Sequence, residues 1–369
     1  MIVKSLELNT FRNYEKLSVE FSKGVNILYG DNAQGKTNIL EAICVCATTK
    51  SQKGSKDREM IKLGAEESHI RMYVEREEIS HKLDMHLRKA KAKTAAVDGV
   101  FLKRSSELYG FLHVISFSPE DLSIIKEGPA QRRRVVDMEL CQLDKIYLYQ
   151  LTKYNKILEQ RNNLLKQIGF NPRLADTLQV WDEQLEEYGK HIISARKIFI
   201  EELSALVQSI HSRLSDGKEE LKLRYEPNVT AEEFLQELKN DREKEQILKN
   251  TLHGPHRDDI SFYLNGEDIR KFGSQGQQRT CALSLKLAEI ELVKMRLKEE
   301  PVLLLDDVLS ELDRSRQTQL LDSITGIQTV ITCTGLEEFV KERVQTDRIY
   351  HVVSGSVKAE QTGIPIPFG

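Results

Sequence analysis

The pattern of apolar and polar residues predicts strands near both ends of the chain. Alternating apolar residues, typical of antiparallel strands with one buried face, occur over residues 2–8, 17–21, 68–74 and 79–87. Mainly apolar runs, which predict buried strands, occur over residues 25–29, 112–117 and 302–305. Hairpin turns are predicted at Asp98-Gly99 and Asn265-Gly266.

The middle of the chain carries a helical pattern instead. Apolar residues at three- and four-residue spacing predict helices from about 135 to 169 and from about 174 to 214. Asn171-Pro172 interrupts them, so the pattern favours a long antiparallel helical hairpin. Ser118-Pro119 predicts a further helix start with Ser118 as N-cap, and Arg132-Arg133-Arg134 is interpreted as a surface turn.

The most informative local stretch is Gly30–Thr37, which lies between a predicted strand and a predicted helix. A strand, a glycine-bearing loop and a helix N-terminus in this order are what a phosphate-binding loop requires. Lys36 can reach the β- and γ-phosphates of ATP, and the Thr37 hydroxyl can ligate Mg²⁺. The predicted nucleotide contacts are Gly30, Asp31, Asn32, Ala33, Gln34, Gly35, Lys36, Thr37 and Asn38.

Two carboxylates, Asp306 and Asp307, follow the apolar run at 302–305. In an open α/β sheet the carboxyl end of a strand faces the ligand crevice. We therefore expect Asp306 to hold Mg²⁺ and Asp307 to polarise an attacking water, with Lys36 as the second catalytic group. An Asp-rich turn after a strand is the alternative interpretation.

A second loop that could hold phosphate precedes the apolar helix beginning near Ala282. Its predicted nucleotide contacts are Ser274, Gln275, Gly276, Gln277 and Gln278. One site does not need two phosphate cradles, but two copies facing each other would use the phosphate loop of one and the serine-glycine loop of the other. A Gly/Gln-rich turn before a core helix is the alternative.

Thr37 and Asp306 lie 269 residues apart, which is too far for a compact nucleotide-binding core without an insertion. We therefore predict an α/β ATPase head built from both ends of the chain, with an inserted, mainly helical arm. The predicted segments are 1–107 for the first part of the head, 108–280 for the arm with the second loop, and 281–369 for the rest of the head.

Composition restricts the class of protein. The chain of 369 residues is 40% apolar and 30% charged, with a net charge of −3, so any nucleic-acid surface must be local. The five cysteines are scattered, and Cys44-x-Cys46 has no matching pair for zinc. No apolar run approaches the roughly 20 residues of a membrane span, and no signal peptide is visible. We expect a cytoplasmic protein.

Residues 82–104 contain seven basic and two acidic side chains, a local net charge of +5. A basic hairpin can follow a phosphate backbone. The predicted DNA-binding residues are Lys53, Lys56, Arg58, Arg88, Lys89, Lys91 and Lys93. A solvated charged face explains the same pattern.

Taken together, these motifs resemble the ABC-type ATPase heads of the SMC-like chromosome-maintenance proteins, and among them the bacterial recombination mediators. The resemblance rests on the stretches at residues 9–14, 30–38, 118–122, 254–259, 274–279 and 304–313. It implies that two heads clamp two ATP molecules, that Ser274 contacts the partner's γ-phosphate, and that residues 310–313 cross the dimer interface. It also places Arg12 near the γ-phosphate and makes Glu120 a candidate metal ligand.

The resemblance further implies a weak, DNA-stimulated ATPase that dimerises with ATP, grips single- or double-stranded DNA at gaps, and is released by slow hydrolysis. Such proteins act with RecR and RecO to place RecA on DNA, without a membrane. Ser51-Gln52-Lys53-Gly54 departs from the family's expected Ser-His-Arg-Thr. Two alternatives stay open: a transporter-type ATPase subunit, and a nucleotide-binding interaction module that does not hydrolyse ATP, because Asp307 replaces the more usual glutamate.

Overall fold

The computed structural model describes residues 1–121, 124–335 and 346–360. The chain divides into two compact units: the head unit, residues 1–122 with 289–369, and the inserted unit, residues 123–288. The segment boundaries that we predict from the sequence, at 107/108 and 280/281, stay a prediction.

The described strands, in chain order, are β1 (Ile2–Phe11), β2 (Tyr14–Glu20), β3 (Val25–Tyr29), β4 (Glu67–Arg76), β5 (Ile79–Arg88), β6 (Thr94–Val97), β7 (Val100–Phe101), β8 (Val114–Phe117), β9 (Leu221–Glu226), β10 (Asp259–Leu264), β11 (Glu267–Asp268), β12 (Val302–Asp306), β13 (Thr329–Cys333), β14 (Thr346–Val353) and β15 (Ser356–Glu360). The described α-helices are α1 (Lys36–Thr48), α2 (Asp57–Met60), α3 (Pro129–Leu143), α4 (Lys145–Ile168), α5 (Leu178–Leu214), α6 (Phe234–Asn240), α7 (Arg242–Leu248), α8 (Ile269–Phe272), α9 (Gln275–Leu297) and α10 (Arg314–Ser323).

The head unit contains an antiparallel sheet in the order β2-β1-β4-β5-β6-β7. The alternating apolar residues of β1, β4 and β5 face its buried side, as the sequence pattern predicts. β6 and β7 meet at Asp98-Gly99, whose φ values of 53° and 84° suit a two-residue hairpin. The predicted hairpin is confirmed.

The second sheet of the head unit has the order β15-β14-β3-β13-β12-β8, and all its neighbouring pairs except β14–β15 are parallel. Parallel strands bring their carboxyl ends to one edge. The phosphate loop follows β3 and Asp306 ends β12, so both lie at this edge, separated by β13 alone. The α/β class is confirmed.

Helix α1 packs against strands of both head sheets. Eleven of its residues are buried, including Ile39, Leu40 and Ile43. A helix that is apolar on all sides lies inside a core. The burial of α1 therefore fixes the position of its N-terminus, where the phosphate loop joins the helix.

The inserted unit contains the predicted helical hairpin, α4 and α5, joined by a 3₁₀ helix at Pro172–Thr177. The helical region predicted from about 135 to 169 is confirmed, and it consists of two helices. α3 begins at Pro129 and α4 begins after Asp144, whose carboxylate accepts a hydrogen bond from the Ile146 amide (2.7 Å). Asp144 is thus an N-cap, which separates the helices. A three-stranded sheet, β11-β10-β9, completes the unit.

Buried ion pairs hold the inserted unit together. Arg161 is fully buried and donates to Asp182 (2.8 Å), Glu245 (2.6 Å) and Thr251 (2.8 Å). Arg132, expected on a surface turn, is 3% exposed and donates to both carboxylate oxygens of Asp259 (2.7 and 2.9 Å). That expectation is wrong because the partner lies 127 residues away in the sequence.

The motif at residues 254–259 is part of this polar core. Asp258 is fully buried and accepts from Arg196 (2.9 Å), from the Asn228 amide (2.9 Å) and from the Tyr225 hydroxyl. The Tyr154 hydroxyl and His256 Nδ1 lie 2.7 Å apart, and His256 Nε2 lies 3.2 Å from the Thr251 carbonyl. Burial lowers the pKa of His256 to about 4, so the ring is neutral.

The helix predicted from Ser118 continues into residues 122 and 123, which lie outside the described residues, so it stays a prediction. The amide and hydroxyl of Ser118 both donate to Asp121, at 2.8 and 3.0 Å, and form a turn. Among the described helices, none has a stretch long and apolar enough to cross a membrane.

Candidate functional site

The phosphate loop has the backbone that its glycines permit. Gly30 and Gly35 have φ values of 150° and 116°, which side chains with a Cβ rarely adopt. A Cβ on Gly35 would lie 2.6 Å from Asn13 Nδ2 and 2.7 Å from the Tyr14 hydroxyl. Gly35 is also the N-cap of α1. The loop therefore approaches the β1–β2 turn closely, and its amides begin a buried helix with a positive dipole end.

Lys36 is buried, and its ammonium group stays within the loop. Nζ donates to the carbonyl of Gly30 (2.5 Å) and to the carbonyl of Asp31 (2.9 Å). Asp31, Asn32 and Ala33 are exposed. A charged donor enclosed by an exposed loop and a helix N-terminus suits a polyphosphate, whose oxygens would replace the two carbonyls.

A hydroxyl and a carboxylate meet across the sheet edge. Thr37 Oγ1 donates to Asp306 Oδ1 (2.7 Å), and Thr332 Oγ1 donates to the same oxygen (2.9 Å). Thr332 Oγ1 also accepts from the Asp307 amide (2.9 Å). Asp307 is half-buried and has a left-handed φ of 56°. The oxygens of Thr37 and Asp306 are of the type that Mg²⁺ binds.

Glu120 is exposed and lies three residues beyond β8, which pairs with β12. It therefore follows a strand that ends at the same sheet edge as Asp306. Within residues 1–121, 124–335 and 346–360, no group of three or more His, Cys, Asp or Glu side chains is arranged to hold a metal ion. A cation at this edge would thus depend on Thr37, Asp306 and phosphate oxygens together.

The second predicted loop belongs to the inserted unit. Ser274, Gln275 and Gly276 are exposed at the start of α9. Ser274 caps the helix: its hydroxyl accepts from the Gln277 amide (3.3 Å), and Gln277 Oε1 accepts from the Ser274 amide (2.9 Å). The Gln278 side chain is buried and donates to the carbonyls of Ile269 and Gly273 (both 3.2 Å). Ser274, Gln275 and Gly276 are therefore accessible at the start of the helix, whereas the Gln278 side chain stabilises the loop through its two hydrogen bonds.

Arg12 contacts protein groups. Its Nε and Nη2 donate to the two oxygens of Glu41, both at 2.7 Å, and Nη2 also donates to Ser55 Oγ (2.7 Å). Nη1 donates to the Glu59 carbonyl (2.8 Å). Glu41 was not among the predicted site residues, although a carboxylate between Leu40 and Ala42 in an apolar helix indicates a buried partner.

The predicted DNA-binding residues lie in two segments of the head unit. Lys53, Lys56, Arg58, Lys89 and Lys91 are exposed, whereas Arg88 and Lys93 are half-buried. Lys93 Nζ donates to the Thr49 carbonyl (2.5 Å) and to Asp57 Oδ1 (2.9 Å), which joins the segments. The structure therefore brings the two segments together, and Lys93 contributes to the contact between them.

Comparison with known proteins places the fold. The family model described as the RecF/RecN/SMC N-terminal domain matches residues 2–358. An Smc head domain from Pyrococcus furiosus, solved with an extended coiled coil and the C-terminal domain of ScpA, is similar with a TM-score of 0.55 and 17% identity, covering 97% of this chain and 95% of that one. The fold is that of an ABC-type ATPase head of the SMC-like class.

Two further comparisons are more specific. A protein named DNA replication and repair protein RecF from Lachnoclostridium phytofermentans is 65% identical over 358 residues, covering 97% of this chain and 99% of that one. A solved structure described as the recombination mediator protein RecF-ATP in the RecFOR pathway has a TM-score of 0.90 and 36% identity, covering 97% of each chain. The chain belongs to the RecF family.

Proposed function

We propose that this chain is an ATP-dependent DNA-binding protein of recombinational repair and replication restart. The observation that carries the proposal is the meeting of Thr37 and Asp306 at 2.7 Å beside the Lys36 loop. The likeness to a RecF structure described with ATP supports ATP as the ligand. ATP hydrolysis acts here as a switch.

Each residue of the head site has a distinct role in the proposal. The backbone amides of Gly30–Asn38 and the Lys36 ammonium bind the phosphates. Thr37 and Asp306 would hold Mg²⁺, with Glu120 as a further candidate, and a bound Mg²⁺ would supply positive charge beside the phosphates. Asp307 accepts the proton of the attacking water. Asp307 directly follows strand β12, and its backbone amide donates a hydrogen bond to Thr332 Oγ1. This position suits its carboxylate to that role.

The proposal includes a second copy of the chain. The loop at Ser274, Gln275 and Gly276 is exposed, and a ligand bound between it and the phosphate loop of another copy would link the two chains. A ligand that binds only the dimer stabilises it by mass action, so ATP drives head-to-head dimerisation. Slow, weakly DNA-stimulated hydrolysis removes that ligand and releases the dimer.

DNA binding is assigned to the exposed residues Lys53, Lys56, Arg58, Lys89 and Lys91, with Arg88 and Lys93 shaping the surface. Contacts to phosphate require only accessible charge, which these five provide. The bound DNA would lie at single-strand gaps, where the protein works with RecR and RecO to help load RecA.

Fluorescence anisotropy of a gapped DNA, with ATP, with ADP and without nucleotide, tests this function. We expect tight binding with ATP only, and loss of that dependence in Lys36→Arg. Charge reversal at Lys53, Lys56, Lys89 and Lys91 should weaken binding and flatten its dependence on salt. DNA binding that is the same in all nucleotide states would refute the switch.

A further inference from the structure

The turn between β1 and β2 contacts the phosphate loop through Asn13 and a basic loop through the preceding residue, Arg12. Asn13 Nδ2 donates to the Gln34 carbonyl, and Asn13 Oδ1 accepts from Asn38 Nδ2, both at 2.9 Å. Gln34 and Asn38 lie on either side of Lys36-Thr37. The position of Asn13 is therefore set by the phosphate loop.

Arg12 points to a different set of partners. The anchored loop, residues 49–59, is held to Arg12 through Ser55 Oγ (2.7 Å) and through the Glu59 carbonyl (2.8 Å). Lys53, Lys56 and Arg58 lie within this loop. The two sides of one short turn thus connect the nucleotide loop with a predicted DNA-binding loop, all inside the head unit.

Glu41 is the common acceptor of this arrangement. It is 3% exposed and accepts two bonds from Arg12 at 2.7 Å and one from Ser51 Oγ at 2.5 Å. The bidentate pairing fixes the plane of the guanidinium group, so Ser55 and Glu59 receive its remaining donors in a defined direction. Glu41 sits on α1, one helical turn after Thr37, and therefore moves with the phosphate loop.

The backbone of Arg12 adds to this interpretation. Its φ is 52°, a left-handed conformation that is costly for an arginine and persists only where the surroundings impose it. Phe11 and Tyr14 pair across this two-residue turn, which itself favours a positive φ, and the side chains of Asn13 and Arg12 hold the turn on opposite partners. A shift of Gln34 or Asn38 would reach Arg12 through one peptide unit.

We propose that the Arg12–Glu41 pair positions the anchored loop according to the nucleotide bound at the phosphate loop, with Glu41 and Arg12 as positioning residues. This inference rests on the proposed function and adds to it the path by which ATP alters the basic surface. Lys93, bound to Thr49 and Asp57, extends the same connection to Lys89 and Lys91.

Hydrogen exchange of the full-length protein, followed on peptides covering residues 49–60, tests the proposal without DNA. Exchange is measured with and without ATP in the wild type, in Glu41→Gln, in Ser55→Ala and in the matched control Ser80→Ala. Ser80 is exposed on β5 of the same unit, away from these contacts. ATP binding is measured in the same samples with a fluorescent analogue.

We expect the wild type and Ser80→Ala to change their exchange in this segment when ATP is added. Glu41→Gln and Ser55→Ala should exchange about tenfold faster without nucleotide and should lose the response to ATP. Ser55→Ala leaves the ion pair intact, so it carries the test if Glu41→Gln does not fold. An unchanged response to ATP in both variants, or no response in the wild type, overturns the proposal.

The analogue separates this failure from that of the proposed function. A wild type that binds the analogue without a response in the segment contradicts only the connection through Arg12 and Glu41. A wild type that does not bind the analogue contradicts the proposed function, and the connection with it.

Discussion

The substitution Asp306→Asn should have a small effect on the stability of the fold and a large effect on the proposed metal site. The substitution keeps an oxygen that can accept from Thr37 and Thr332, but it removes the charge. A hydrogen bond to a charged acceptor contributes about 1 kcal/mol more than a neutral one, so two such bonds lose about 2 kcal/mol. Asp306 is 8% exposed, and removing a buried charge offsets part of that loss. The free energy of unfolding should therefore change by less than about 2 kcal/mol.

Binding of Mg²⁺-ATP should change far more, because a carboxylate ligand to the cation is lost. We expect at least a 100-fold weaker affinity, about 2.7 kcal/mol, measured by calorimetry in Mg²⁺. The difference between variant and wild type should disappear in EDTA. Asp322→Asn, on the exposed side of α10, makes the same change in net charge and serves as control. An Asp306→Asn protein with the Mg²⁺ dependence of the wild type would refute the assignment of Asp306.

Three further predictions concern stability, each measured by urea unfolding. The fully buried Tyr14 hydroxyl has no hydrogen-bond partner within the described residues, so Tyr14→Phe should gain about 1 kcal/mol; a loss would show a missed partner. Arg161→Met should cost about 3–5 kcal/mol because the buried Glu245 loses its Arg161 counter-charge and the buried Asp182 keeps only Arg242, and a neutral result contradicts this. His256 is neutral when folded and charges on unfolding, so stability should fall by up to about 3 kcal/mol as pH drops from 6.5 toward 4. His256→Gln should remove that part of the pH dependence, and an unchanged profile argues against it.

The site was predictable where its chemistry is local in the sequence. Strand, glycine loop and helix follow one another at Gly30–Thr37, and the apolar run before Asp306 indicates a buried strand. The parallel sheet then brings Thr37 and Asp306 together across 269 residues. Sequence pattern gave no strand order, so the position of β13 between β3 and β12 had to come from the structure.

The ion pairs that were not predicted join residues that are distant in the sequence. Arg132 is interpreted as a surface residue from its sequence neighbours alone, yet it is buried and forms an ion pair with Asp259. The placement of Arg12 near the γ-phosphate, given by resemblance, stays a prediction, and its ion pair with Glu41 was not predicted. Charged residues enter a core only with a partner, and periodicity does not identify that partner.

The central claim is that ATP links two copies of this chain through the Lys36 loop of one and the Ser274 loop of the other. Molecular mass in solution, measured by light scattering without nucleotide, with ADP and with ATP, tests it most directly. We predict that the mass doubles with ATP only, and that Lys36→Arg and Ser274→Arg both stay monomeric. A mass that does not respond to ATP, in a protein shown to bind it, would contradict the account.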